Sequence, residues 1–254
     1  MSKWIFRPNN KSNAKIRLFC FPYAGSSALI TYKFLIDALP YEIEVCPVEF
    51  PGRGTRISEN LIDNLNEVIS NISEEFTEFL DKPFIFFGHS MGALIAYELA
   101  HLLSDKYGRI PNKLYLSAHT APNVNRKGQI IYLLEKKEFL EKLIQMKGIS
   151  EEILLHQELL DMVLPIIKND YKLCETYSYI SKKKMDIPFH IFGGKYDEDI
   201  SVENLRQWQN LTNGDFDLTL IDGDHFYLTK NKEEFLGILN SNLKIDLIKI
   251  LNYE

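Results

Sequence analysis

The segment that most restricts how this chain can fold runs from residue 84 to residue 100. Four apolar residues, Phe84-Ile85-Phe86-Phe87, lead directly into Gly88-His89-Ser90-Met91-Gly92, and Ala93-Leu94-Ile95-Ala96-Tyr97-Glu98-Leu99-Ala100 follows. The first run reads as a buried strand, and the last is built of good helix formers. A G-x-S-x-G turn between strand and helix lifts a serine hydroxyl above the edge of a sheet. Its glycines are required because a Cβ at either position would strike the neighbouring strand or helix. By chance, three fixed positions match on the order of once per ten chains of this length. The strand before and the helix after are what give the match its weight. The competing reading makes Ser90 an ordinary helix N-cap.

The rest of the chain repeats the same rhythm. Strands are expected at 16–21, 42–48, 84–87, 113–117, 188–192 and 218–222, and helices at 29–39, 61–80, 91–104, 201–211 and 231–250. Such alternation implies an α/β fold, with a mainly parallel sheet covered by helices on both faces. The 254 residues suit one large domain, 1–254, with a well-buried core. No internal repeat or low-complexity linker divides them. One stretch breaks the rhythm: about seventy residues between the strands at 113 and 188 carry helical patterning and no clear strand. Lys137–Ile144 has its apolar residues on one face, and Ser150-Glu151-Glu152 can cap and begin the next helix. After it, Ile153, Leu154, Leu155, Leu159, Leu160, Val163, Leu164, Ile166 and Ile167 cover more than one face. A simple crossover needs far fewer residues, so a helical insertion is expected at about 120–184.

A nucleophilic serine needs a base, and the base needs an orienting carboxylate. In sheets that carry this elbow the chain order is Ser, then Asp or Glu, then His. Phe189-His190-Ile191-Phe192 ends in Gly193-Gly194-Lys195-Tyr196-Asp197-Glu198-Asp199, and Leu218–Ile221 ends in Asp222-Gly223-Asp224-His225-Phe226. Asp197 and His225 thus fall just past the C-terminal ends of strands, where such sheets carry their reactive groups. Asp199 competes with Asp197 for the acid role. Asp222 and Asp224 read as turn formers that shape the histidine loop. His190 lies within its strand, His101 on the helix after the elbow and toward solvent, and His156 on a helical surface. His119 is a candidate for the pocket rim. Acyl transfer also needs donors for an oxyanion. The Met91 amide, directly after the serine, is one candidate. The loop Pro22-Tyr23-Ala24-Gly25-Ser26-Ser27, after the strand 16–21, offers another at Ala24, against the plainer reading of an ordinary strand-to-helix turn.

Composition narrows the setting. Apolar residues make up 45% and charged residues 25%, and the net charge of −6 argues against a general nucleic-acid surface. The start, Met-Ser-Lys-Trp-Ile-Phe-Arg-Pro, lacks the apolar core of a signal peptide, and no apolar run approaches the ~20 residues that span a bilayer. Cys20, Cys46 and Cys174 are an odd, scattered set without zinc-ligand spacing, and the first two read as small apolar groups in strands. A cytoplasmic, disulfide-free protein away from membranes, holding no metal, is expected.

Five stretches together carry a resemblance. Phe21-Pro22-Tyr23-Ala24-Gly25, Pro51-Gly52-Arg53-Gly54-Thr55-Arg56 with Glu59, Gly88-His89-Ser90-Met91-Gly92-Ala93, Gly193-Gly194-Lys195-Tyr196-Asp197 and Gly223-Asp224-His225-Phe226 occur in this order between about residues 16 and 228. The chain resembles the type II, editing thioesterases of nonribosomal peptide and polyketide synthesis, within the α/β-hydrolase superfamily. It departs from that pattern in Ser26 in place of a second glycine, Lys168-Asn169-Asp170 in place of R-x-D, and Glu198 in place of a proline. The resemblance implies an α/β-hydrolase fold whose helical insertion is a lid over the active site. It implies a thioesterase acting through Ser90, His225 and Asp197, with Met91 and Ala24 as amide donors and Tyr23, Gly25, His89 and Phe226 against substrate. It further implies no bound cofactor, because the phosphopantetheine arm arrives on the substrate. Its partners would be acyl or peptidyl carrier proteins, met transiently by a monomer. Two rival functions share the scaffold: a small-molecule carboxylesterase or lipase, and a non-catalytic carrier-binding module. The second normally lacks a triad member, and here all three stand.

Overall fold

The apolar runs become strands, four of the six buried along their whole length. β1 (Ile16–Phe21), β2 (Ile43–Pro47), β3 (Phe84–His89), β4 (Lys113–Ser117), β5 (Phe189–Gly194) and β6 (Phe216–Ile221) form one sheet in the order β2-β1-β3-β4-β5-β6. All five pairings are parallel. Every residue of β1, β2, β3 and β5 is buried, whereas β6, at the edge, is mostly half-buried. Burial on both faces is what a parallel sheet between helix layers requires. The computed structural model describes residues 2–125 and 129–252.

Alternate side chains of one strand feed two cores. Phe19 and Phe21 of β1 point into the larger one, with α3 (Leu65–Glu75), α4 (Met91–Tyr107) and Trp208. Leu18 and Cys20 point into the other, with α1 (Ala28–Thr31), α2 (Lys33–Ala38) and α10 (Lys232–Asn252). Cys20 and Cys46 are fully buried among apolar neighbours.

Element boundaries shift where local hydrogen bonds override the apolar pattern. The helix expected at 29–39 is two pieces that meet at Tyr32, where φ −104° and ψ 10° leave the helical range; the buried Tyr32 hydroxyl donates to the Phe21 carbonyl at 2.5 Å. The helix expected at 61–80 begins at Leu65, because Asn64 Oδ1 accepts the Glu67 amide as an N-cap, and it tightens into a 3₁₀ turn over Phe76–Phe79. The helix expected at 201–211 is α8 (Val202–Arg206) followed by another 3₁₀ turn, Gln207–Leu211. A short α9 (Tyr227–Lys230) precedes α10.

Between β4 and β5 the expected insertion contains α5 (Lys136–Gln145), α6 (Glu151–Leu155) and α7 (Gln157–Thr176). Residues 126–128 of that stretch lie outside the described residues. Ile131, Phe139, Leu143, Ile149, Leu160, Leu164 and Ile167 pack into a small core of its own. Leu173, near the end of α7, belongs to the main core. Much of the surplus apolar character of this stretch is therefore used between its own helices and where α7 meets the sheet layer, while Leu155 and Leu159 stay exposed.

Candidate active site

β1 and β3 are neighbours in register, with Phe21 opposite Gly88, so the loops that leave them emerge side by side. The turn after β3 is tight enough to need bare backbone. A Cβ on Gly88 would lie 2.2 Å from the Gly92 carbonyl oxygen, and one on Gly92 would lie 2.0 Å from that of Phe21. Ser90 between them has φ +54° and ψ −119°, a conformation L residues rarely adopt. Its amide donates to the Ser117 carbonyl of β4 at 2.8 Å, which anchors the turn to the sheet. Ser90 makes no side-chain capping bond to α4, so the N-cap reading gives way.

The loops after β5 and β6 deliver the two partners. His225 Nε2 lies 3.1 Å from Ser90 Oγ, and His225 Nδ1 lies 2.8 Å from Asp197 Oδ2. The second contact assigns the N–H to Nδ1 and leaves Nε2 free to accept the serine proton. The Asp197 side chain is 2% exposed, and its other oxygen accepts the amides of Asp199 at 3.0 Å and Ile200 at 3.1 Å. Asp199 is exposed and donates its backbone N–H to Asp197, while its side chain lines the cleft beside the pair. A hydroxyl, an imidazole fixed in one tautomer and a buried carboxylate in this order are what nucleophilic acyl transfer uses.

Met91 is the first residue of α4, so its amide is among the helix-end donors that have no acceptor within the helix. The backbone of Gly92, next along, presses against Phe21 and Pro22, which brings the start of α4 up to the loop carrying Ala24. That loop is clasped by two buried carboxylates. On one side Glu49 accepts from Ser27 Oγ at 2.5 Å and from the Ala28 amide at 3.2 Å, and burial pushes its carboxyl above the ordinary range. On the other, Asp170 of α7 accepts the Gly25 amide at 2.7 Å and pairs with Arg53. Arg56 braces the segment that carries Glu49, donating to the Glu49 carbonyl at 2.9 Å and to both Glu59 oxygens.

Tyr23 and Phe226 are half-buried beside the imidazole, their rings 5.6 Å apart and Phe226 5.1 Å from His225. One expected substrate contact turns out otherwise. His89 is completely buried under the site, bound through Nδ1 to Ser117 Oγ at 2.7 Å, with its ring 5.5 Å from that of His225. Burial holds it well below the ordinary histidine range, so it is a neutral support under His225. Gly25 remains half-exposed, but its amide is committed to Asp170. His101 is not at the surface as expected: it is buried, its ring 4.7 Å from Tyr97, because α4 is covered on nearly all sides. His190 is buried in β5 and His156 is exposed. His119 is half-buried, with its carbonyl accepting from Trp208 Nε1 at 2.7 Å. Asp224 shapes its loop by accepting the Phe226 amide at 3.0 Å. A cleft of about 80 Å³ opens beside His225 and Asp197, walled by Lys142, Gln145 and Met146 at the end of α5.

Sequence reading did not foresee the Arg53–Asp170 pair. The available signal was an aspartate on the inward face of α7, one turn from Leu173 and Ile167, where a carboxylate stays only when paired.

Six parallel strands between helices, a serine elbow after β3 and a helical insertion after β4 define an α/β-hydrolase. The thioesterase domain family matches residues 16–243, and the chain belongs to that family: it is a hydrolase of thioesters. It is 34% identical over 247 residues to the gramicidin S biosynthesis protein GrsT of Aneurinibacillus migulanus, covering 97% of this chain and 96% of the relative. It is 36% identical over 250 residues to a protein of Brevibacillus parabrevis named linear gramicidin dehydrogenase LgrE, covering 97% and 95%. The turn after β1 here, Pro22-Tyr23-Ala24-Gly25-Ser26, lacks the G-x-G-x-x-G of a dinucleotide site. Among solved structures, the type II thioesterase BorB from the borrelidin biosynthetic cluster superposes with a TM-score of 0.83 at 31% identity, covering 96% of this chain and 97% of that one. Among the described residues no helix is long and apolar enough to cross a membrane.

Proposed function

We propose that this thioesterase removes acyl groups from the phosphopantetheine arm of acyl or peptidyl carrier proteins, clearing stalled or misprimed synthase modules. The observation that carries the chemistry is the unbroken contact from Ser90 Oγ through His225 to Asp197, at 3.1 and 2.8 Å. His225 Nε2 takes the hydroxyl proton as Ser90 Oγ bonds to the thioester carbon. Asp197 stabilises the imidazolium from the far side. The amides of Met91 and Ala24 hold the carbonyl oxygen as it becomes negative. The C–S bond breaks, and the thiolate leaves with the proton from His225. Water then gives a proton to His225 and attacks the acyl-serine, the acid departs, and Ser90 regains its proton. A thiolate leaves readily, so the site need not drive off an amine.

The thiol needs no cofactor from the protein, because the arm is part of the substrate. The relatives' biosynthetic roles support a carrier partner, and the insertion α5–α7 is suited to act as the lid that receives it. A monomer in the cytoplasm fits this task. Replacing the nucleophile tests the chemistry: Ser90→Ala lowers thioester hydrolysis by at least ~10³-fold with the fold intact, since no acyl-enzyme can form. A folded Ser90→Ala protein that still turns over near the normal rate would overturn the assignment.

A further inference from the structure

Asp170 stands near the C-terminal end of α7, fully buried, and three hydrogen bonds converge on it. Arg53 donates from Nη2 to Oδ1 at 2.8 Å and from Nη1 to Oδ2. The third donor is the Gly25 amide, 2.7 Å from Oδ2. A buried carboxylate facing an arginine is ordinary ion-pair chemistry. The backbone donor is the informative part, because it belongs to the loop that carries Ala24. The Gly25 N–H is part of the peptide unit joining Ala24 to Gly25, next to the unit that bears the Ala24 amide. Gly25 has φ +78°, where the chain has little intrinsic preference against a peptide flip. A flip would turn the Ala24 carbonyl oxygen toward the carboxylate, replacing a charge-assisted hydrogen bond with repulsion. Asp170 therefore selects one orientation. Ile167, one turn earlier on α7, closes over the same glycine, since a Cβ on Gly25 would lie 2.4 Å from its Cγ1.

We propose that Asp170, held in place by Arg53, is a positioning residue that fixes the Ala24 amide for the oxyanion, so that the oxyanion hole is complete only while α7 is seated on the loop after β1. This rests on the acyl-enzyme reading above. It also divides the insertion. α7 is tied to the catalytic loop by Asp170 and to the main core by Leu173, and it is the fixed part. Any opening of the site then falls to α5 and α6.

Two variants test this: Asp170→Asn, and the apolar replacement Arg53→Met with Asp170→Leu. Three readouts are taken with each: kcat and KM on an acetyl thioester of a short thiol, inhibition by an alkylboronic acid, and binding of a thioether analogue. The boronic acid adds to Ser90 and mimics the tetrahedral state, while the thioether mimics the ground state. Losing one well-placed oxyanion donor costs ~10²-fold or more in kcat, so Asp170→Asn is expected to fall by about that factor. Boronic acid affinity falls in parallel, with KM and thioether binding within about twofold of wild type. Apolar replacement of a buried pair is often neutral or stabilising, so the double variant keeps its melting temperature yet stays slow. A purely structural pair gives the opposite result, with the double variant recovering both stability and rate, and that recovery overturns the proposal. Unchanged kcat and boronic acid affinity in folded Asp170→Asn overturns it as well. Ser90→Ala run alongside separates the two readings. If it still turns over, the acyl-enzyme mechanism fails. If it is inactive while both Asp170 variants match wild type, only the positioning role fails.

Discussion

Single residues in this protein take their roles from what surrounds them more than from their type. Asp197 and Asp199 are two positions apart, yet one carboxylate is 2% exposed against His225 while the other faces solvent. Asp197→Asn should therefore cost several orders of magnitude in kcat, because an amide in that place favours the wrong imidazole tautomer. Asp199→Asn should cost little, since the carboxylate bonded to His225 is that of Asp197. Steady-state kinetics on the pair checks this, and reversed effects would move the acid role to Asp199. The histidines divide in the same way. His190, stacked on Phe192 at 4.5 Å and facing Lys113, Asp217 and Asp246, is pushed by burial down to about 4. An unfolded chain takes up that proton near pH 6.5, so in that interval the unfolded state binds more protons and stability is lost as pH falls from about 6.5 toward 4. His190→Gln removes this contribution. Thermal unfolding between pH 7 and pH 4 is expected to show a smaller loss of Tm in the variant than in wild type, and equal losses would remove His190 from the account.

Among the elements, the strand–elbow–helix unit is the most rigidly specified. Gly92 is set against the backbone of β1, and backbone does not move aside as a side chain would. Gly92→Ala should cost about 3 kcal/mol, seen as a Tm lowered by roughly 6–12 °C, with activity lost as the elbow is displaced. Gly237, exposed on α10 with nothing near its missing Cβ, is the control. Gly237→Ala should raise stability by up to ~1 kcal/mol through helix propensity alone. Calorimetry on the two glycine variants reads both, and a Gly92→Ala protein as stable as wild type would contradict the packing described for the elbow. The insertion shows a looser logic. Its apolar residues pack mainly on each other, leaving Leu155 80% and Met162 53% exposed on its outer side.

Taken whole, the molecule carries an insertion far larger than a crossover needs, and the end of its α5 walls the cleft beside Asp197 and His225. If that insertion receives a carrier protein, the same acyl group should be hydrolysed with a higher kcat/KM from the carrier than from a short thiol, because remote contacts supply binding energy at the reacting carbon. Charge reversal on the outer face of the insertion, for example Lys137→Glu, should slow only the carrier reaction. Paired kinetics on the two substrates decides the matter, and equal kcat/KM on both would favour a general small-molecule esterase.

What the sequence determined by itself was whatever local chemistry dictates. Apolar runs became strands, Gly88 and Gly92 marked the elbow because no side chain fits there, and the order Ser90, Asp197, His225 put three groups at strand ends that one sheet must bring together. The tertiary structure alone decided what depends on partners distant in the chain. Nothing local distinguished Asp197 from Asp199, since the choice was made by which carboxylate faces His225, 28 positions away. Nothing local told that His101 would be covered or that His89 would lie under the site. The buried pair of Arg53 and Asp170 spans 117 positions, and its meaning comes from a third partner, the Gly25 amide, that no side-chain pattern encodes. Hydrogen bonds to backbone in distant loops depend on position and not on residue type, and so they became visible only once the chain was folded.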